Sequence, residues 1–384
     1  MVRLGDVTQK TAKWNPATVP NEYFTYIDLS ALDNVSKTIT SSVQLLGQDA
    51  PSRARQLIRR DDVLLSTVRP NLNAVATVPR NLEGATASTG FAVLRSDSTR
   101  LDYRYLFRWV TTPIFVAEML RRATGANYPA VSESAVRNSL IPLPPLMKQQ
   151  RIAAILDAAD DVRRKRQQML TLLDELPQIL FGKMFLDFVN GKDQFDWPVK
   201  LLKDASLINP RDSKLLPTEK VSFVGMAELD AIRARATARE TRSYEAVSRG
   251  YTQFQNQDIL VAKITPCWEN GKIGVALLPH QFGAGSTEFH VIRPQNGLEL
   301  DYLLRYLRQD WVRNAGESQM TGSAGQKRVP TRFLSEMPIP VPPLELQQEF
   351  ARIVEAIHAQ RDIVERALQK DNELFAALQT QLFR

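Results

Sequence analysis

Apolar positions along the chain follow two rhythms, and the pair of rhythms occurs twice. Short runs such as FTYIDL (24–29), DVLLSTV (62–68) and FAVLR (91–95) are rich in β-branched and aromatic residues and are bounded by turn formers, which predicts strands. VSFVGM (221–226), DILVAKI (258–264) and FHVIR (289–293) read the same way. LDYRYLFRWVTT (101–112) and LDYLLRYLRQDW (300–311) space their apolar residues three and four apart, which predicts helices. A longer rhythm follows each set. Ile155, Ala159, Val162, Arg166, Met169, Leu173, Leu176 and Leu180 step by four and three in alternation. Moving 198 residues along gives Ile353, Ile357, Gln360, Val364, Ala367, Asp371, Leu374 and Leu378, again mostly apolar. Such a heptad pattern predicts a coiled-coil seam. Two amphipathic helices, each packed on its own domain, are the other arrangement the spacing allows.

The two sets are copies. IPLPPLMKQQ (141–150) and IPVPPLELQQ (339–348) agree at seven of ten positions. The correspondence extends outward through 90–109 and 288–307, through DVLLSTVRP (62–70) and DILVAKITP (258–266), and loosely through VRLGDV (2–7) and VKLLKDA (199–205). A repeat of this length is a structural unit. The predicted fold is α+β: two homologous domains, 1–144 and 191–342, separated by long helices over 145–190 and 343–384, with a pseudo-two-fold internal repeat. Proline in the first turn suits each helix start. Pro177 is expected to kink the first helix or end it early. The order domain, helix, domain, helix requires the helices to run antiparallel if they pair. About 30 helical residues reach roughly 45 Å, on the order of 13 base pairs of duplex.

Composition narrows the class. No apolar run is long enough for a membrane span, and MVRLGDVTQK lacks the apolar stretch of a signal peptide. Cys267 is the single cysteine, and His280, His290 and His358 show no ligand spacing, so a cytosolic protein without a structural metal is expected. The net charge of +7 is unevenly spread. Residues 1–146 hold 17 Lys/Arg against 12 Asp/Glu, and residues 199–344 hold 19 against 15. The helical stretches are neutral or acidic: 8 against 8 over 147–198 and 5 against 7 over 345–384. Two separate positive blocks suit two contacts with a polyanion.

Loops beside rigid strands are the natural readers of such a partner. The first half offers Arg69, Asn71 and Asn73 after one strand, and Arg121, Arg122, Asn127 and Tyr128 near the TG loop at 124–134. The second offers Lys263, Trp268, Asn270 and Lys272, with Glu269 among them, and Ser323, Gln326, Lys327 and Arg328 in the loop at 321–331. Arg suits guanine, Asn suits adenine, and a carboxylate can accept from cytosine. Each residue also has a plainer role: the Asn and Pro positions favour turns, Trp268 can pack, and Gly125 and Gly322 can simply turn the chain. RRKR (163–166) reads as a phosphate patch or as a solvated or partner-facing helix surface.

The twin IPxPPLxxQQ strings with their helices, the DVLLSTVRP and DILVAKITP strands and the TG loops ahead of the prolines carry a resemblance over essentially the whole chain. The chain resembles the specificity subunit of a type I DNA restriction-modification enzyme. The resemblance implies that each globular half is a target-recognition domain for one part of a split double-stranded DNA sequence. It also implies that the helices set the spacing and dock two copies of an adenine methyltransferase subunit, which a motor-nuclease subunit can join. It implies no cofactor in this chain, with S-adenosylmethionine held by the methyltransferase partner, and a prokaryotic cytoplasm. The helix residues expected to serve pairing and partners are Ile155, Val162, Met169, Leu173, Leu176, Ile353, Ile357, Val364, Leu374 and Leu378.

Two rivals stay in view. A single-chain DNA methyltransferase needs an Asn/Asp-Pro-Pro-aromatic motif around the flipped base. NPAT (15–18) and NPRD (209–212) do not supply it, GAGS (283–286) is a weak glycine loop, and Asp160–Asp161 reads as surface charge. No catalytic residue is assigned. A DNA-independent adaptor bridging two proteins would share the repeat and the helices.

Overall fold

The computed structural model describes residues 1–125, 128–186, 197–211, 215–295, 297–323 and 325–384. It divides into two compact units, one of residues 1–167 and 366–384, the other of residues 168–365.

In the first unit, DVLLSTV forms the strand Val63–Ser66, buried at every position. It lies inside an antiparallel sheet ordered Thr8–Gln9, Phe91–Ser96, Val63–Ser66, Val75–Thr77. Side chains alternate across a strand. Val63 and Leu65 therefore meet the helix Tyr103–Val110 through Tyr105 and Leu106. Leu64 faces a second sheet through Ile27 and Ala87. That sheet is ordered Val43–Leu46, Tyr23–Ile27, Thr86–Ser88, Ala54–Leu57, with its middle pair parallel. Cover on both faces explains an unbroken apolar run where a half-exposed strand would alternate.

The second unit repeats this plan. Ile259–Ala262 lies inside a six-stranded sheet ordered Ser206–Ile208, Phe289–Pro294, Ile259–Ala262, Ile273–Leu277, Arg235–Thr237, Leu229–Asp230. Ile259 and Val261 pack with Tyr302 and Leu303, and Leu260 packs with Val224 and Phe254 on the other face.

Three polar devices recur and explain the repeated letters. Asp62 is buried and takes a two-pronged pair from Arg95, with Nε donating at 2.8 Å and Nη2 at 2.7 Å. Asp258 takes the same pair from Arg293 at 2.7 and 2.8 Å. The forked geometry compensates the desolvated carboxylates. Gln149 accepts from the Asp102 backbone N–H at 2.9 Å and donates to the carbonyls of Arg100 and Pro144. Gln347 does the same with Glu299, Gly297 and Pro342. These fully buried amides fasten each long helix to the loop before the domain's own helix. Last, Val2–Arg3 pairs with Leu140–Ile141, and Val199–Leu201 pairs with Pro338–Pro340, so each domain begins and ends in one short ladder.

The long helices are Leu146–Phe181 and Leu344–Leu382. In the first unit Arg163 donates to Asn372 at 2.8 Å and stacks over Phe375, while Arg166 pairs with Asp371. In the second unit Arg361 pairs with Asp174, and Phe181 packs edge-on to Phe350 at 5.8 Å. Rising numbers meet falling numbers in both units, so the helices run antiparallel in each.

The phase of the pairing differs from the expected seam. The covered stripe runs through Ile152, Leu156, Ala159, Arg163, Arg166, Leu170, Leu173 and Pro177, which is the expected 4,3 stepping displaced by three residues. Ile155, Val162, Met169 and Leu176 are consequently exposed, as are Ile353 and Leu374. Leu173 and Leu378 are partly covered, and Ile357 and Val364 are buried. Two arginines occupy the seam because their aliphatic stems pack while their heads reach carboxylates, a choice that apolar counting cannot register. Pro177 does not end the helix. It is buried near the C-terminal end and costs a single backbone bond there; the chain then continues into a wider π-type turn, Gly182–Leu186.

Candidate nucleic-acid interface

Each unit joins two loops beside its buried strand. In the first, the Arg69 N–H donates to the Pro129 carbonyl at 2.7 Å, and Val68 bridges Ala130. In the second, the Thr265 N–H donates to the Lys327 carbonyl at 3.0 Å, and Ile264 bridges Arg328. The two expected loops of each half thus form one composite surface on a rigid strand.

Within the first surface Arg69 is in the left-handed region at φ 50° and follows the strand end. Its guanidinium carbon sits 4.8 Å from the centre of the Tyr128 ring. Arg69, Asn71, Arg121 and Tyr128 are exposed and together offer charge, a bidentate amide and a flat ring. Two residues depart from the expectation. Asn73 turns inward: its side chain reaches the Val110 carbonyl, its Oδ1 is buried, and its own carbonyl receives the Lys37 ammonium. Its left-handed φ of 46° suits asparagine at this turn. Arg122 is paired with Glu118 and donates to the Ala135 carbonyl, so its charge is largely answered. Asn127 lies outside the described residues.

The second surface differs in chemistry. Asn270, Ser323, Gln326 and Lys327 are exposed, and Lys263 is half-buried beside them. Trp268 is corrected from reader to core residue. It is 1% exposed, its indole N–H donates to the Arg313 carbonyl at 2.9 Å, and it meets Phe333 edge-on. Gly316 makes room for it, since a Cβ there would come within 2.2 Å of the indole. Lys272 is also turned inward, donating to the Met226 carbonyl at 2.8 Å. Arg328 forms a fork with Glu288 at 2.8 and 2.9 Å, and that bond holds the Glu288 carboxyl below its ordinary range. Glu269 has one carboxylate oxygen buried without a partner and lines an open cleft with Asn314, Glu317 and Lys327.

The RRKR segment is mostly consumed within the chain. Arg163, Arg164 and Arg166 pair with Asp160, Asp161 and Asp371. Sequence reasoning missed the partners that disarm Arg122, Lys272 and Arg328. Glu118 stands one helical turn from Arg122 and was legible in principle, whereas Glu288 and Met226 are distant in sequence. Among the described residues no group of His, Cys, Asp and Glu could hold a metal ion, and no helix is long and apolar enough to cross a membrane.

Comparison with known proteins agrees with this geometry. A family model described as "Type I restriction modification DNA specificity domain" matches residues 51–172 and 196–372. The type I restriction enzyme EcoAI specificity subunit of Escherichia coli is 34% identical over 220 residues, covering 57% of this chain and 36% of that protein. The EcoEI specificity subunit of the same organism is 34% identical over 226 residues, covering 58% and 37%. The similarity therefore spans little more than a third of those relatives' length. A chain of a solved type I R-M system is 27% identical, with a TM-score of 0.64 over 100% of this chain and 97% of that one.

Proposed function

The chain belongs to the type I restriction-modification DNA specificity family, and on that premise we propose that it reads a bipartite, asymmetric double-stranded DNA site, one composite loop surface per half-site. The observation that carries this reading is the contrast between two equivalent surfaces. One scaffold occurs twice with Arg69, Asn71, Arg121 and Tyr128 on one copy and Lys263, Asn270, Gln326 and Lys327 on the other. Unlike side chains on like scaffolds read unlike bases.

The chain supplies selection, and a partner supplies the chemistry. Two copies of an adenine methyltransferase subunit, each with its own S-adenosylmethionine, dock on the helices, and a motor-nuclease subunit joins them in the prokaryotic cytoplasm. The exposed apolar rows support the docking. Met169, Leu172, Leu176 and Ile179 step by three, four and three on one solvent-facing side of the second unit's helix. Ile155 and Val162, seven residues apart, are exposed in the first unit. Charged or polar residues would normally occupy such positions.

The test is mapping of adenine methylation in DNA from cells that carry this chain with its methyltransferase partner. The expected result is one split motif with a fixed gap. Methylation independent of this chain, or a continuous motif, overturns the reading. Binding of the purified complex to its motif should also weaken steeply with salt, which a DNA-independent adaptor would not do.

A further inference from the structure

Glu269 stands in a loop whose length differs between the two units. The loop after the central strand runs from Pro70 to Asn73 in the first unit and from Pro266 to Gly271 in the second. Asn73 and Gly271 close the two loops at equivalent places, each with a left-handed φ, 46° and 64°. Beyond them the Ser66 N–H donates to the Ala74 carbonyl, and the Ala262 N–H to that of Lys272. The second loop is therefore six residues long, 266–271, where the first is four, 70–73. Glu269 lies inside the longer one.

The interior fixes its position. Trp268, the residue before it, is locked by its bond to the Arg313 carbonyl and by the space that Gly316 leaves. The Trp268 N–H donates to the Ile264 carbonyl at 3.1 Å and the Asn270 N–H to that of Pro266 at 3.0 Å, which winds the loop into a tight turn. Glu269 lines an open cleft of about 600 Å³. Asn314 and Glu317 of the helix Asp310–Ser318 and Gly325 and Lys327 of the loop at 321–331 complete it. One carboxylate oxygen of Glu269 is enclosed there, and no group among the described residues donates to it. An enclosed acceptor without a donor is costly and calls for a partner.

On a DNA duplex the choice of donor is narrow. The backbone carries acceptors only, and its phosphates repel a carboxylate. The remaining donors are base amino groups: cytosine N4 and adenine N6 in the major groove, and guanine N2 in the minor groove. A surface built from two loops fits the major groove, about 12 Å wide, better than the minor groove at about 6 Å. On the premise that the second unit reads DNA, we propose that Glu269 is a specificity residue. It accepts a hydrogen bond from the exocyclic amino group of cytosine or adenine at one base pair of that unit's half-site.

The test uses the chain in complex with its methyltransferase partner and duplexes carrying the split motif that methylation mapping defines. A continuous motif, or none, counts against the DNA-reading role and is distinct from every outcome for Glu269. Each base pair of both half-sites is replaced in turn, and affinity is read by fluorescence anisotropy. Glu269→Ala is expected to lose discrimination at one base pair, from about tenfold in the unaltered chain to less than about threefold. That pair lies in the half-site that Arg69→Ala leaves intact. There, pyrimidin-2-one in place of cytosine, or purine in place of adenine, removes the amino group alone. The analogue should weaken the unaltered chain about tenfold and Glu269→Ala less than about threefold, and the base it replaces assigns cytosine or adenine. Inosine in place of guanine should change neither. The melting temperature of Glu269→Ala should equal or exceed that of the unaltered chain, because a stranded acceptor is removed. Unchanged discrimination at every pair, a loss in the other half-site, loss of all binding, an equal effect of the analogue on both chains, an inosine effect that Glu269→Ala abolishes, or a lower melting temperature overturns the proposal.

Discussion

Arg69 stands over the ring of Tyr128 and ties two loops of the first unit's composite surface into one. The pair holds a cation and a flat ring in a fixed relation at a strand end. Such a contact at an exposed site contributes about 0.5–1 kcal/mol. Arg69→Ala should therefore lose both a base contact and its neighbour's position. The expected cost is about 1–3 kcal/mol of DNA affinity, confined to the half-site that the first domain reads. Fluorescence anisotropy with DNA carrying either half-site scrambled checks it; an equal loss on both would contradict the assignment. Asn73→Ala should lower stability and leave base preference unchanged.

Gln149 and Gln347 each satisfy three backbone groups from a buried position. Replacing either by alanine strands those groups without partners. A destabilisation of about 2–4 kcal/mol is expected, read as a lower urea midpoint. Gln150→Ala, at the neighbouring exposed position, should change the midpoint little.

The displaced seam separates folding from assembly. Leu172→Ser and Leu176→Ser remove exposed apolar groups and should change stability by less than about 0.5 kcal/mol. They should abolish co-purification of the methyltransferase subunit. Leu170→Ser, two residues from one of them yet buried, should destabilise the chain instead by about 2–4 kcal/mol. Identical behaviour of the three variants would reject the partner face.

His358 gives stability a dependence on pH. Its folded value of about 4 lies below the ordinary 6.5, the result first of burial and then of Arg235 and Arg305, with Arg361 adding to them and Asp362 opposing. The unfolded chain thus binds the proton more readily. The contribution is full above about pH 6.5 and is lost as pH falls towards 4. Roughly 1–3 kcal/mol should disappear across that window after allowance for solvent screening. His358→Asn should flatten the slope in denaturation curves taken between those pH values.

Much of the architecture was legible because the repeat wrote it twice. The strands Val63–Ser66 and Ile259–Ala262, the helices after the prolines and their antiparallel sense follow from pattern and connectivity alone. The seam's phase was not legible, because Arg163 and Arg166 enter it through pairing that depends on Asp160 and Asp371. The candidate surfaces were half legible. Arg69 and Tyr128, expected from loop chemistry, are exposed, but Trp268 and Lys272 looked equally polar or aromatic in the string and are claimed by the interior. The Asp62–Arg95 and Asp258–Arg293 pairs occupy corresponding positions of the repeat, and co-occurrence of those letters was the signal to follow.

Each repeated domain enters and leaves through a two- or three-residue ladder, Val2–Arg3 against Leu140–Ile141 and Val199–Leu201 against Pro338–Pro340. Both cut points of a domain are therefore neighbours in space, at the foot of a helix start whose fastening glutamine is the same in both halves. A foreign domain with the same neck could be spliced in as a cassette while the scaffold beneath it stays as it was.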